Sequence, residues 1–114
     1  MLAEVMTYLN CRPGGVYADG TLGGAGHARA ILERSAPDGV LIGLDQDADA
    51  IANARVVLAD ASDRVRLFHR NFAHLHEVLL QLGLKGVDGI LLDLGISLHH
   101  LQGTIEAGSL MAVV

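Results

Sequence analysis

Apolar runs that end in a carboxylate alternate along this chain with stretches of helical periodicity, and few folds accommodate that alternation. Val16-Tyr17-Ala18-Asp19, Val40-Leu41-Ile42-Gly43-Leu44-Asp45 and Val87-Asp88-Gly89-Ile90-Leu91-Leu92-Asp93 are the runs. The second is nearly continuous in its apolar character, which marks a strand buried on both faces of a parallel sheet. Val65 to His69 reads as a further strand between the second and the last. Helical spacing fills the gaps. Val5 to Leu9 reads as the end of a helix stopped by the Arg12-Pro13-Gly14-Gly15 turn. A second helix is predicted from about His27 to Ser35, with Ala28, Ile31 and Leu32 on one face. Asp47 is placed to cap a third, which carries Ala48, Ile51, Ala54 and Leu58. Leu75, Val78, Leu79 and Leu82 form the core-facing stripe of a fourth, ended by Gly83.

The order β-α-β-α-β-α-β calls for right-handed crossovers and a parallel sheet. The expected fold class is therefore α/β, a Rossmann-like half-fold with four strands and intervening helices. A chain of 114 residues suits one domain, and 51% hydrophobic content is too high for a disordered one. No apolar stretch reaches the roughly 18 residues of a membrane helix, so no span is expected. Met1-Leu2-Ala3-Glu4 lacks the basic start and apolar run of a secretory leader. Cys11 is the single cysteine, which excludes an internal disulfide and a cysteine-built zinc site and points to a cytoplasmic location. With 8 Lys and Arg against 13 Asp and Glu, the net charge of −5 argues against a broad nucleic-acid surface within these residues. The histidines give no metal-ligand spacing: His74 and His76 diverge on a helix, and His99 and His100 are adjacent.

In an open parallel sheet, ligands bind beyond the carboxyl ends of the strands. The Gly20-Thr21-Leu22-Gly23-Gly24-Ala25-Gly26 loop follows the first strand and opens a helix, so its backbone can approach a ligand closely. Asp45 ends the second strand about 20 residues after Gly24, the spacing at which a carboxylate can accept hydrogen bonds from a ribose diol. Arg29 stands where a dinucleotide fingerprint would have its last glycine, which disfavours NAD or FAD. Loop and acid together point to a nucleoside cofactor. The alternative is a tight turn followed by a helix-capping Asp45.

Four blocks come in order: Asp19-Gly20-Thr21-Leu22-Gly23-Gly24-Ala25-Gly26-His27, Leu41-Ile42-Gly43-Leu44-Asp45-Gln46-Asp47, Asn71-Phe72, and Asp88-Gly89-Ile90-Leu91-Leu92-Asp93-Leu94-Gly95-Ile96-Ser97. Together they resemble the bacterial methyltransferase H family, S-adenosylmethionine-dependent enzymes that methylate N4 of a cytidine in 16S ribosomal RNA. The resemblance spans residues 2 to 97. It implies a methyltransferase fold cut at half its extent and an S-adenosyl-L-methionine site with contacts at Ala25, Gly26 and His27. It further implies Asp45 on the ribose, Phe72 beside the adenine, and Asp93 near the methionine end and the reaction centre. Physical chemistry agrees with these roles: an aromatic face suits a purine, and carboxylates suit a cationic ligand. Read without the family, Phe72 heads the apolar stripe of its helix, Asp19 and Asp93 cap the loops after their strands, and His27 is a surface residue. The partner implied is 16S ribosomal RNA of the small subunit, contacted mostly by a part that this chain lacks.

The text departs from the family pattern after Ser97, where a Ser, a Pro and a Gln would follow. Here Leu98-His99-His100-Leu101-Gln102 stands instead, so His100 occupies the place of a Gln that resembles a cofactor contact. The expected organisation is a partial S-adenosylmethionine-binding domain over 1–97 and a divergent tail over 98–114, of frameshift or junction origin. With later strands missing, Ile90-Leu91-Leu92 is expected to form an open apolar edge. The strand-prone segment Ser109-Leu110-Met111-Ala112-Val113-Val114 would either cover it or pair between chains. A fragment that binds the cofactor without catalysis, or is inactive, is the alternative function.

Overall fold

Continuous apolar runs build the centre of the molecule. A computed structural model describes residues 2–92 in full and the backbone of residues 105–113. Helix α1 (Leu2–Leu9) leads into strand β1 (Val16–Asp19), followed by α2 (Gly26–Arg34), β2 (Val40–Asp45) and α3 (Ala48–Val57). Then come β3 (Val65–His69), α4 (Leu75–Leu82), β4 (Val87–Leu92) and β5 (Ile105–Val113). Short 3-10 turns at Leu22–Gly24, Ala59–Arg64 and Phe72–His74 link these elements.

Among the described residues the strands form one sheet in the order β3-β2-β1-β4-β5, each neighbouring pair parallel. The chain moves outward from β1 through β2 to β3, then crosses back to place β4 on the other side of β1. Right-handed crossovers put α2 and α3 on one face during the outward run and α4 on the opposite face on the return. Packing follows that rule. Met6 and Leu9 of α1, Ile31 and Leu32 of α2, and Ile51 and Ala54 of α3 share one buried cluster with Tyr17, Leu41 and Leu91. Leu75, Val78 and Leu79 of α4 pack on the other face with Ala18, Ile42, Leu44, Ile90 and Leu92. Neighbours such as Leu41 and Ile42, or Leu91 and Leu92, fall in opposite clusters because successive strand residues point to opposite faces.

The expected helices all form, with adjustments at their margins. Asp47 caps α3, its side chain accepting the Asp49 N–H at 2.8 Å. Ala48, expected on the inner face, is exposed, and Ala50 is buried instead. Asn71 caps the turn before α4 by accepting the Ala73 N–H at 2.8 Å. Gly83 closes α4 with a left-handed φ of 73°.

Among the described residues the sheet has one strand more than the four expected from the alternation. The β4 edge expected to lie open is paired: β5 runs parallel to it, from Gly89 opposite Leu110 to Leu92 opposite Val113, with a register irregularity between Val87 and Gly89. Unpaired N–H and C=O groups along an apolar strand favour a partner, and the β-prone tail supplies one within the chain. Among the described residues no helix is long and apolar enough to cross a membrane.

Candidate functional site

The strand order reverses between β1 and β4, and such a reversal opens a crevice at the carboxyl ends of the strands. The loop after β1 sits there. Its start is tied to β4, because the Gly20 N–H donates to the Leu91 carbonyl at 2.8 Å. Its middle is anchored by Leu22, fully buried in the cluster beneath α2 and α3. Gly43 of β2 makes room for that anchor: a Cβ there would lie 2.9 Å from Leu22 Cδ1 and 2.8 Å from Leu67 Cδ2. After the Leu22–Gly24 turn, Ala25 takes a left-handed φ of 58° and its N–H bonds back to the Leu22 carbonyl at 3.0 Å. That kink redirects the chain into α2.

A cavity of about 560 Å³ lies over this loop, lined by Leu2, Thr21, Gly23, Gly24, Gly26, His27 and Asp45. Among the described residues, a Cβ built at Gly23, Gly24 or Gly26 would meet nothing within 4 Å. The glycines thus keep a wall of backbone bare rather than relieve a clash. Asp45 stands at the end of β2, where its Oδ1 accepts the Asp47 N–H at 2.9 Å. Its Oδ2 makes no hydrogen bond among the described residues. The capping of α3 belongs to Asp47, so a helix cap does not account for Asp45. Alongside, in register with Asp45, His69 holds the Gln46 carbonyl through Nε2 at 2.8 Å and so braces the same turn.

Asp19, at the end of β1, is fully buried. Its Oδ1 accepts both the Thr21 N–H and the Thr21 hydroxyl, each at 2.6 Å, and Thr21 Oγ1 lies 3.2 Å from His27 Nδ1. A second cavity of about 530 Å³ lies where β1 and β4 begin, lined by residues including Arg12, Gly14, Tyr17 and Asp88. Its walls are part of the scaffold: Asp88 accepts the Val16 N–H at 2.8 Å, and the Tyr17 hydroxyl accepts the Arg12 N–H at 2.7 Å. The first cavity, at the carboxyl ends of the strands, is the one the topology favours for a ligand.

The structure brings Gly26, His27 and Asp45 together around that cavity. Ala25 is buried behind the loop and shapes it from within. Phe72 is 3% exposed and belongs to the α4 cluster, its ring filling the space beside Gly20, where a Cβ would lie 2.7 Å from Phe72 Cδ1. It is not among the residues lining the cavity. Asp93 and His100 lie outside the described residues. Sequence reasoning missed Thr21 and Leu2. An Asp-x-Thr pattern closing a strand is the signal for the first, since such side chains bond the backbone two residues on. An apolar residue opening a helix, 43% exposed in the structure, is the only signal for Leu2. Among the described residues no three His, Cys, Asp or Glu side chains gather as metal ligands.

The profile of the MraW methylase family matches residues 1–108. The chain belongs to the MraW methylase family. The match continues past Ser97 into the segment expected to diverge. Over 106 residues the chain is 59% identical to ribosomal RNA small subunit methyltransferase H of Geotalea daltonii, a match covering 93% of this chain and 34% of that protein. It is 56% identical over 108 residues to the protein of the same name from Geobacter sulfurreducens, covering 95% and 34%. The chain therefore spans about one third of the length of these curated relatives. A SAM-dependent O-methyltransferase of Thermotoga maritima shares the fold with a TM-score of 0.77 at 15% identity, over 99% of this chain and 42% of that one.

Proposed function

We propose that this chain is the cofactor-binding part of an S-adenosyl-L-methionine-dependent methyltransferase acting on N4 of a cytidine in 16S ribosomal RNA. The observation that carries the reading is the cavity at the strand-order reversal, walled by the bare backbone of Gly23, Gly24 and Gly26 and closed by Asp45. Family membership and the names of the relatives support the substrate class. S-adenosylmethionine, when bound, supplies a methyl group on a sulfonium centre open to attack by an amine.

The chain's own residues hold and orient. Asp45 offers Oδ2 to a ribose diol while Asp47 restrains Oδ1. The loop glycines allow close backbone approach, and the buried anchor Leu22 keeps the loop from moving with its ligand. Carboxylates near the cavity favour a ligand carrying positive charge. Phe72, packed under Gly20, is the residue assigned to the adenine end. Asp93, directly after β4, is the residue assigned to the reaction centre, and His100 takes the place of the family's Gln contact. Rate enhancement in this reading comes from aligning donor and acceptor, with the target base turned out of its stack. Contact with 16S RNA belongs to sequence that the longer relatives have and this chain does not span, in keeping with its charge of −5.

A chimera tests the reading. Residues 1–97 replace the matching segment of the Geotalea daltonii relative, and labelled methyl transfer to unmodified small subunits is measured. Transfer to N4 of cytidine is the expected result, lost on Asp93→Ala. A folded chimera that binds S-adenosylhomocysteine yet methylates nothing would refute the assigned substrate.

A further inference from the structure

We propose that Asp19 and Thr21 are positioning residues that lock His27 in its Nδ1–H tautomer, so that Nε2 serves as a hydrogen-bond acceptor toward the cavity. The argument is one of proton counting. With Asp19 as a carboxylate, which only accepts, the 2.6 Å contact between Thr21 Oγ1 and Asp19 Oδ1 uses the single hydroxyl proton of Thr21. The Thr21 N–H binds the same oxygen at 2.6 Å, which fixes the threonine side chain over its own backbone. With its proton committed, Oγ1 can only accept. The 3.2 Å contact with His27 Nδ1 then forms when that nitrogen carries the hydrogen. Asp19 is fully buried at the end of β1, so the chain of bonds starts from a rigid point and ends on a residue lining the cavity.

His27 Nε2 has no hydrogen-bond partner among the described residues. A neutral imidazole with its proton on Nδ1 presents Nε2 as a lone pair, suited to an ammonium, amino or hydroxyl donor. That S-adenosylmethionine provides the donor rests on the reading given above; the tautomer lock does not. The two are separable by experiment.

Long-range 1H–15N correlation spectra of the 114-residue chain, labelled at histidine and recorded at pH 8, report the His27 tautomer. The expected signature is Nδ1–H in the parent, lost in Thr21→Val, which removes the hydroxyl at nearly constant volume, and kept in Thr21→Ser. Titration with S-adenosylhomocysteine is expected to show affinity at least tenfold weaker for Thr21→Val and within about twofold of the parent for Thr21→Ser. An Nε2–H signature in the parent overturns the lock, even if Thr21→Val fails to fold. So does an unchanged tautomer in folded Thr21→Val. If the tautomers behave as expected but no variant and no parent binds S-adenosylhomocysteine, the lock stands and the cofactor reading falls.

Discussion

Gly43 and Leu22 share space that holds only one side chain, and the loop over the cavity depends on who occupies it. A Cβ on Gly43 would press on the ends of Leu22 and Leu67, which are flexible enough to give a little and too enclosed to give much. Gly43→Val is expected to cost about 1–3 kcal/mol in urea unfolding, the usual range for overpacking. It should also weaken ligand binding by loosening the loop. Cys11 makes a different kind of prediction. Burial pushes its thiol up from 9.0 to about 11, with Arg34 pulling the other way. The native chain therefore keeps the thiol proton where the unfolded chain has lost it. Stability from this group is complete below pH 9 and is lost as pH rises from 9 through 11. Burial also raises Tyr17, so Cys11→Ala should remove only part of the alkaline loss. Comparing urea midpoints of parent and variant at pH 8 and about pH 10 measures it. Thiol reagents at pH 8 should react faster with the unfolded chain than with the native one.

At the scale of elements, the β4 edge is the place where pairing matters most. Removing residues 105–113 uncovers it, and light scattering should then show association at concentrations where the 114-residue chain stays dispersed. A truncated chain that remains equally dispersed would show that β5 contributes no protection. The first two strands were legible from the sequence to the residue, because apolar runs preceded by glycine turns and closed by carboxylates leave little choice, and β3 was read at its observed bounds from the alternation alone. The 3-10 turns at Leu22–Gly24 and Ala59–Arg64 were not, since so short a segment carries no period to detect. Partner choice was equally hidden. The tail's β propensity allowed pairing within or between chains, and only assembly of the sheet decides between them. At the site, spacing alone singled out the glycine loop and Asp45. The Asp19-Thr21-His27 contacts depend on the turn geometry after β1, which residue identities do not specify. The residues alone favoured Phe72 as the head of an apolar stripe and the family resemblance put it beside the adenine; its ring packs against Gly20 within the α4 cluster.

For the whole molecule, the return crossover from β3 to β4 is the decisive event. It puts α4 on the far face, leaves β1 and β4 adjacent, and opens the crevice that the loop and Asp45 surround. Both faces of the sheet are covered by helices, so the fold buries its strands while its ligand chemistry stays at one end. The central claim is that this end binds an adenosyl cofactor through Asp45. Calorimetric titration of the folded 114-residue chain with S-adenosylhomocysteine tests it directly, with Asp45→Ala beside it. Saturable one-to-one binding is predicted for the parent, weakened about tenfold to a hundredfold by the substitution, as loss of hydrogen bonds to a charged group would cause. No saturable heat from the folded parent, or equal affinity in the two proteins, would contradict it.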